Sequence, residues 1–139
     1  MATRREDREM AFKLLFEQAV AGDLISEIIL TAEEINKEKV AEFTFSLVCG
    51  TDKNIEKIDE AINKYSAKWK TDRLSKVSLA VLRLACYEMM FETNIPVSVS
   101  INEAVELAKI YGAKDDSPYV NGVLSSIAKD EELLCKKTK

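Results

Sequence analysis

The sequence contains no histidine among its 139 residues. Without an imidazole group, a Ser-His-Asp triad, a histidine-ligated metal and histidine acid–base catalysis are all excluded. Glycine and proline are scarce, with four and two residues, which favours long helices over a turn-rich β fold. The three cysteines, Cys49, Cys86 and Cys135, form neither a CxxC motif nor a disulfide framework. We therefore expect a chain that resides in a reducing compartment.

Excess charge of one sign is also slight, since the net charge is −4. That balance argues against binding of a polyanion by the whole surface, but it leaves room for a local basic patch. The first seven residues are charged and lack an apolar core, so we predict no signal peptide and a cytoplasmic protein. A length of 139 residues suits one domain, which we expect to span residues 1–139.

A stretch without glycine or proline, residues 74–91, predicts the central helix of this domain. At 100° per residue, Val81 and Leu84 fall on one side, whereas Leu82 and Cys86 fall on the other. A helix that is apolar on all sides is buried by neighbours on all sides. Polar residues interrupt the stretch too often for a membrane span, which needs about 20 mostly apolar residues.

Shorter patterns predict the other helices. The first should cover residues 4–20, and Thr31 and Ser100 each begin a sequence typical of a capping box. Ser117 before a proline predicts the start of the last helix, whose apolar positions point inward. Between these, Gly50 interrupts a helical pattern without changing its phase, so we expect a mild kink or a close packing point there.

The first helix carries a strip about 80° wide that holds, in angular order, Arg8, Phe12, Arg5 and Phe16. Arginines beside exposed rings suit single-stranded RNA, because guanidinium groups bind phosphates while rings stack on bases. The alternative is that both rings simply widen the core face and the arginines are solvated. Three acidic residues in the same helix dilute the patch and favour this alternative.

A second basic run surrounds the sole tryptophan and consists of Lys64, Lys68, Lys70, Arg73 and Lys76. It is either a solvated connector with Trp69 packed against the core, or a corner that contacts a polyanion.

The C-terminal half carries the motifs of a known family. The stretch INEAVELAK at residues 101–109, then Tyr111-Gly112, then YVNGVL at residues 119–124, resembles the signature of the NusB transcription antitermination factors. Residues 80–88 match the segment that precedes this signature in the family.

The resemblance implies an all-α fold, a helical bundle of about six to seven helices in two packed subdomains. It implies a factor, not an enzyme, that requires no cofactor and no metal. Its expected partners are boxA-type single-stranded RNA and the ribosomal protein NusE, with NusE docking around the central helix and the helix of residues 101–111. The complex would join the RNA polymerase antitermination complex and promote read-through in ribosomal RNA operons. A homodimer is a further possibility that the family suggests.

The resemblance also assigns RNA-binding roles to individual residues: Arg4, Arg5, Arg8, Lys13, Phe16 and Tyr119. Lys13 stands where the family usually has glutamine, and Phe16 where it usually has tyrosine. Two rival hypotheses remain open at this point. One is a helical protein-interaction scaffold that binds no RNA, and the other is an enzyme that uses Glu, Asp and Tyr side chains.

Overall fold

The computed structural model describes residues 3–66 and 70–134, and every regular element within those ranges is helical. The seven α-helices of this part of the chain are α1 (Arg4–Ala21), α2 (Ile25–Asn36), α3 (Glu42–Lys53), α4 (Ile55–Tyr65), α5 (Lys76–Phe91), α6 (Val97–Tyr111) and α7 (Asp116–Ala128). A three-residue 3-10 turn, Thr71–Arg73, precedes α5. The all-α prediction is therefore confirmed. None of these helices is both long enough and apolar enough to cross a membrane.

Helix α5 forms the axis of the molecule, as residues 74–91 predict. Twelve of its 16 residues are buried, because α1, α3, α4, α6 and α7 all pack against it. The helix begins at Lys76 because the Ser75 hydroxyl accepts a hydrogen bond from the Ser78 N–H and so caps the first turn. Helices α1, α2 and α3 contact one another, whereas α4, α6 and α7 surround the rest of α5.

Helix α1 has the ends that its sequence predicts. Thr3 and Glu6 form a reciprocal capping box at its start, and Gly22 ends it in the left-handed conformation with φ of 76°. Its core face includes Ala11 and Leu15, which fixes the orientation of the opposite side chains. The position of the candidate site on α1 follows from this packing.

The predicted helix starts at Thr31 and Ser100 are wrong. Helix α2 already begins at Ile25, because its buried isoleucines carry the helix through Thr31. Helix α6 begins directly after Pro96, whose extended backbone takes the N-cap position, so Ser100 lies buried inside the helix. Helix α7 begins at Asp116, two residues before Pro118, the predicted first residue of the helix.

Gly50 lies within α3, and the predicted continuous helix breaks four residues later, between α3 and α4. The ring of Tyr87 packs so closely against Gly50 that a Cβ atom there would collide with it. The interpretation of Gly50 as a close packing point is therefore confirmed.

Candidate nucleic-acid interface

Helices α1 and α6 meet through long side chains that form polar contacts between them. The Arg5 Nε and Nη2 atoms donate to the two carboxylate oxygens of Glu103 at 3.1 and 2.7 Å. About one turn further along α1, Glu9 accepts a hydrogen bond from the Tyr111 hydroxyl. The Phe12 ring lies 5.0 Å from the Tyr111 ring, measured between centroids. These contacts fix the register of α1 on α6.

The solvent side of this edge combines cations with aromatic rings. It consists of Arg5, Lys13, Phe16 and Tyr111, which we name the α1–α6 strip. The Arg5 side chain is 70% exposed, Lys13 is exposed, and Phe16 is half-buried. On an ideal helix the three α1 residues fall within about 80° of one another. Glu9 falls between Phe16 and Lys13 on this side of α1, so the strip offers cations and ring faces with a carboxylate among them.

Sequence reasoning missed Tyr111 as a site residue, because its spacing placed it with the core positions of its helix. In the structure it is 37% exposed, since Gly112 ends α6 at the edge of the core. The hydrogen bond to Glu9 raises the pKa of Tyr111, and burial raises it further to a smaller extent. The Tyr111 side chain is therefore neutral at physiological pH. The exposed residue Ile110 beside it is a sign that the last turn of α6 extends past the core.

The other two arginines of α1, Arg4 and Arg8, contact different helices. The Arg4 guanidinium lies 4.0 Å from the centre of the Phe43 ring on α3, and the Arg4 residue remains exposed. Arg8 is only 6% exposed. Its Nε and Nη2 atoms donate to the Glu88 carboxylate on α5 at 2.8 and 3.2 Å. The Ser100 hydroxyl of α6 donates to the same carboxylate at 2.7 Å.

This arrangement separates the residues that sequence reasoning grouped into one strip. Phe12 is buried in the core and Arg8 is neutralised inside the protein, whereas Arg5 and Phe16 remain at the surface. The interpretation of Phe12 as a core residue is confirmed, but the interpretation of Arg8 as a solvated side chain is wrong. The predicted RNA contact through Arg8 stays a prediction, and it would require the guanidinium to leave Glu88.

Tyr119 lies on α7, beyond the loop that follows α6. Its half-buried side chain shares a hydrogen bond with the Ser66 hydroxyl at the end of α4. Asp116 lies near the start of α5, where the Ser75 hydroxyl approaches its carboxylate at 3.4 Å. The loop between α6 and α7 thus connects the α1–α6 strip to the corner where α4, α5 and α7 meet.

The basic run at that corner is only partly described. Lys68 and Trp69 lie outside the described residues, so neither interpretation of the run is tested. Lys70 and Lys76 are exposed. Lys64 donates to Asp130 at 3.1 Å, and this bond raises the pKa of Lys64.

Residues 3–66 and 70–134 contain no group of three histidine, cysteine, aspartate or glutamate side chains that could hold a metal ion. Burial raises the pKa of the Cys86 thiol, so this cysteine is a poor nucleophile.

Comparisons with known proteins match most of the chain. The sequence profile of the NusB family matches residues 5–129. A transcription antitermination protein NusB from Clostridium acetobutylicum is 41% identical over 131 residues, covering 93% of this chain and 97% of the relative.

Two solved structures are similar along most of the chain. The T. maritima NusB structure is 37% identical, with a TM-score of 0.81, and the match covers 93% of this chain and 92% of that one. A crystal structure of the antitermination factors NusB and NusE in complex with double-stranded RNA is 30% identical, with a TM-score of 0.81. That match covers 91% of this chain and 96% of the other.

Proposed function

The chain belongs to the NusB family of transcription antitermination factors, and we propose that it binds boxA-type single-stranded RNA together with the ribosomal protein NusE. In this proposal the complex joins RNA polymerase on the nascent transcript in the cytoplasm. There it promotes read-through of terminators in ribosomal RNA operons. The whole chain, residues 1–139, acts as one RNA-binding domain.

The observation that carries the proposal is the α1–α6 strip. Single-stranded RNA is bound by cations that contact the phosphates and by rings that stack on the unpaired bases. In the strip, Arg5 and Lys13 supply the cations, and Phe16 and Tyr111 supply the rings. Because these side chains belong to helices packed against α5, the surface is formed before RNA arrives.

We propose that the RNA continues across the loop after α6 toward Tyr119. This path follows the connection from the end of α6 to the start of α7, where Asp116 and Ser75 approach each other. Exposed Lys76 at the start of α5 gives this corner a cation. Tyr119 would supply a ring at its far end.

The arginines of α1 take different roles in this proposal. Arg4 and Arg5 are exposed and contact phosphates, whereas Arg8 holds α1 in place through Glu88. Pulling Arg8 out toward RNA would leave the Glu88 carboxylate buried without its cation, which is strongly unfavourable. Arg8 therefore contributes to RNA binding by positioning the helix that carries the contacts.

The partnership with NusE is supported by the similar solved structure in which NusB and NusE are bound together with double-stranded RNA. Helix α5 is buried almost entirely, so its own surface offers little for docking. The outer face of α6 offers more, because Val99, Glu106 and Ile110 are exposed there. We propose that NusE binds this face of α6.

The test is an equilibrium titration of a labelled boxA-like single-stranded RNA by fluorescence anisotropy, with and without NusE, at two salt concentrations. We expect NusE to strengthen binding and salt to weaken it. Three phosphate contacts, from Arg4, Arg5 and Lys13, predict a log–log salt slope of about −2 for a single strand.

Variants give this titration its controls. Lys13→Ala should weaken binding and make the salt slope shallower by about 0.7, because one phosphate contact is lost. Lys57→Ala removes the same charge from an exposed position on α4 and should change binding much less. Absence of RNA binding in every condition would instead favour a helical scaffold for protein partners. Size-exclusion chromatography with light scattering would show whether a homodimer covers the strip.

A further inference from the structure

Arg5 is the arginine of the α1–α6 strip, yet its guanidinium already forms hydrogen bonds. Two of its N–H groups, on Nε and Nη2, donate to the two carboxylate oxygens of Glu103. This parallel, two-pronged geometry is the one that arginine uses to bind a phosphate group. Glu103 thus occupies the same side of the guanidinium that an RNA phosphate would use in such a contact.

The two partners differ greatly in burial. The Arg5 side chain is 70% exposed, whereas that of Glu103 is 16% exposed. Arg5 can turn into solvent without difficulty, but Glu103 cannot follow it. Any contact that draws Arg5 away therefore leaves the Glu103 carboxylate without its cation, at the modest cost of an ion pair at the surface.

The Arg5–Glu103 pair also changes the electrostatic field that an approaching RNA meets. With Glu103 in contact, the positive charge of Arg5 is balanced at short range, so the strip attracts phosphates less than its cations alone would. The guanidinium has five N–H donors, and three of them remain free for other contacts. Glu103 consequently weakens the attraction without blocking the surface.

We infer that Glu103 is an internal competitor for RNA phosphate, which holds Arg5 in the free protein and keeps RNA affinity below what the strip allows. This inference rests on the proposed function, because it concerns the same surface. It gives Glu103 a role opposite to that of Arg8 and Glu88, whose buried pair holds α1 in place. The carboxylate belongs to the interface although its charge opposes the ligand.

The test is a double-mutant cycle on RNA binding with the full-length chain. The four proteins are the parent, Glu103→Gln, Arg5→Ala and the double variant, each titrated with the same boxA-like RNA at two salt concentrations. Glu103→Gln should tighten binding by about two- to fivefold, the scale of an exposed ion pair. Its salt slope should stay close to that of the parent, because Arg5 contacts phosphate in both proteins and only the cost of releasing it from Glu103 changes. In the Arg5→Ala background, the same substitution should give no more than the small gain expected for Glu106→Gln.

Glu106→Gln is the matched control. Glu106 lies one turn further along α6 and adds to the electrostatic field at Arg5, but it forms an ion pair with Lys109, at 3.6 Å. Its removal therefore takes away the same charge from the same helix without releasing the guanidinium of Arg5. We expect a smaller gain in affinity than for Glu103→Gln.

Several results would overturn the inference. Weaker binding by Glu103→Gln would mean that Glu103 positions Arg5 for RNA. Equal gains from both glutamine variants, or an undiminished gain without Arg5, would mean a general effect of charge. A parent protein that binds no RNA would refute the proposed function as well. A parent that binds RNA and loses affinity with Arg5→Ala, but is unaffected by Glu103→Gln, would refute this inference alone. Thermal melts check folding, and Glu103→Met repeats the test if Glu103→Gln melts early.

Discussion

Replacing Arg8 by alanine is expected to lower the free energy of unfolding by about 3–5 kcal/mol, the usual loss when one partner of a buried ion pair is removed. Arg8 is 6% exposed and Glu88 is 1% exposed, so water cannot take the place of the lost guanidinium. The Ser100 hydroxyl still donates to Glu88, but a neutral donor does not balance a buried charge.

Urea unfolding followed by circular dichroism measures this loss. With a slope of about 2 kcal/mol per molar urea, the midpoint should fall by roughly 1.5–2.5 M. Arg5→Ala is the matched control, since Arg5 lies three residues earlier on the same helix and also pairs with a glutamate, but at the surface. Its midpoint should stay close to that of the parent.

A second variant separates the charge effect from simple loss of packing. In Arg8→Met with Glu88→Met, no unpaired charge remains, so part of the lost stability should return. If Arg8→Ala unfolded at the same urea concentration as the parent, the buried pair would not hold α1 to α5, and the positioning role of Arg8 would be wrong. RNA titrations of Arg8 variants therefore require a stability measurement beside them.

Two further predictions concern packing and pH. Gly50→Ala should destabilise the protein by roughly 1–3 kcal/mol, because its Cβ would collide with the Tyr87 ring. Gly122→Ala is the control, since no atom lies within 4 Å of the added Cβ. Its denaturation midpoint should equal or exceed that of the parent. Hydrogen bonds, above all from Tyr65, lower the pKa of Asp130 in the folded protein. The melting temperature of the parent should therefore exceed that of Asp130→Asn at pH 7, and the difference should vanish as the pH falls below about 4, where the carboxylate protonates.

The helices that hold the site were predictable because their apolar residues repeat at the helical period. Helix α5 is buried on every side, as the stretch of residues 74–91 indicates. The inward positions of α7, including Val120 and Leu124, are also buried as predicted. A periodic pattern depends on many residues at once, so a single polar residue within it does not change the prediction of a helix.

Helix starts were less predictable, because the sequence of a capping box also occurs inside helices. Ser100 lies three residues before Glu103, the spacing of a capping box. The helix nevertheless begins four residues earlier, because Pro96 takes the N-cap position. The hydroxyl that would have capped α6 bonds to Glu88 instead. Its partner lies on another helix, and no local rule identifies it.

The site was predictable in outline but not in its pairings. The charged and aromatic side of α1 could be recognised from spacing, whereas the partners of Arg5 and Arg8 lie 98 and 80 residues away in sequence. Those distant carboxylates decide which arginine stays at the surface. One sequence shows that arginines are present, but it does not show which acid faces each of them.

The long sequence separation between α1 and α6 also has a consequence for synthesis of the protein. The contact between Arg5 and Glu103 joins residues 98 positions apart, and the contact between Glu9 and Tyr111 joins residues 102 apart. At a translation rate of about 5–20 residues per second, α1 leaves the ribosome roughly 5–20 s before the helix that orients it. For most of that interval its apolar face has no α5 to cover it, because α5 is made only shortly before α6. The first segment to be made is therefore among the last to acquire its binding shape, and a chain interrupted before α6 would carry the arginines without the surface.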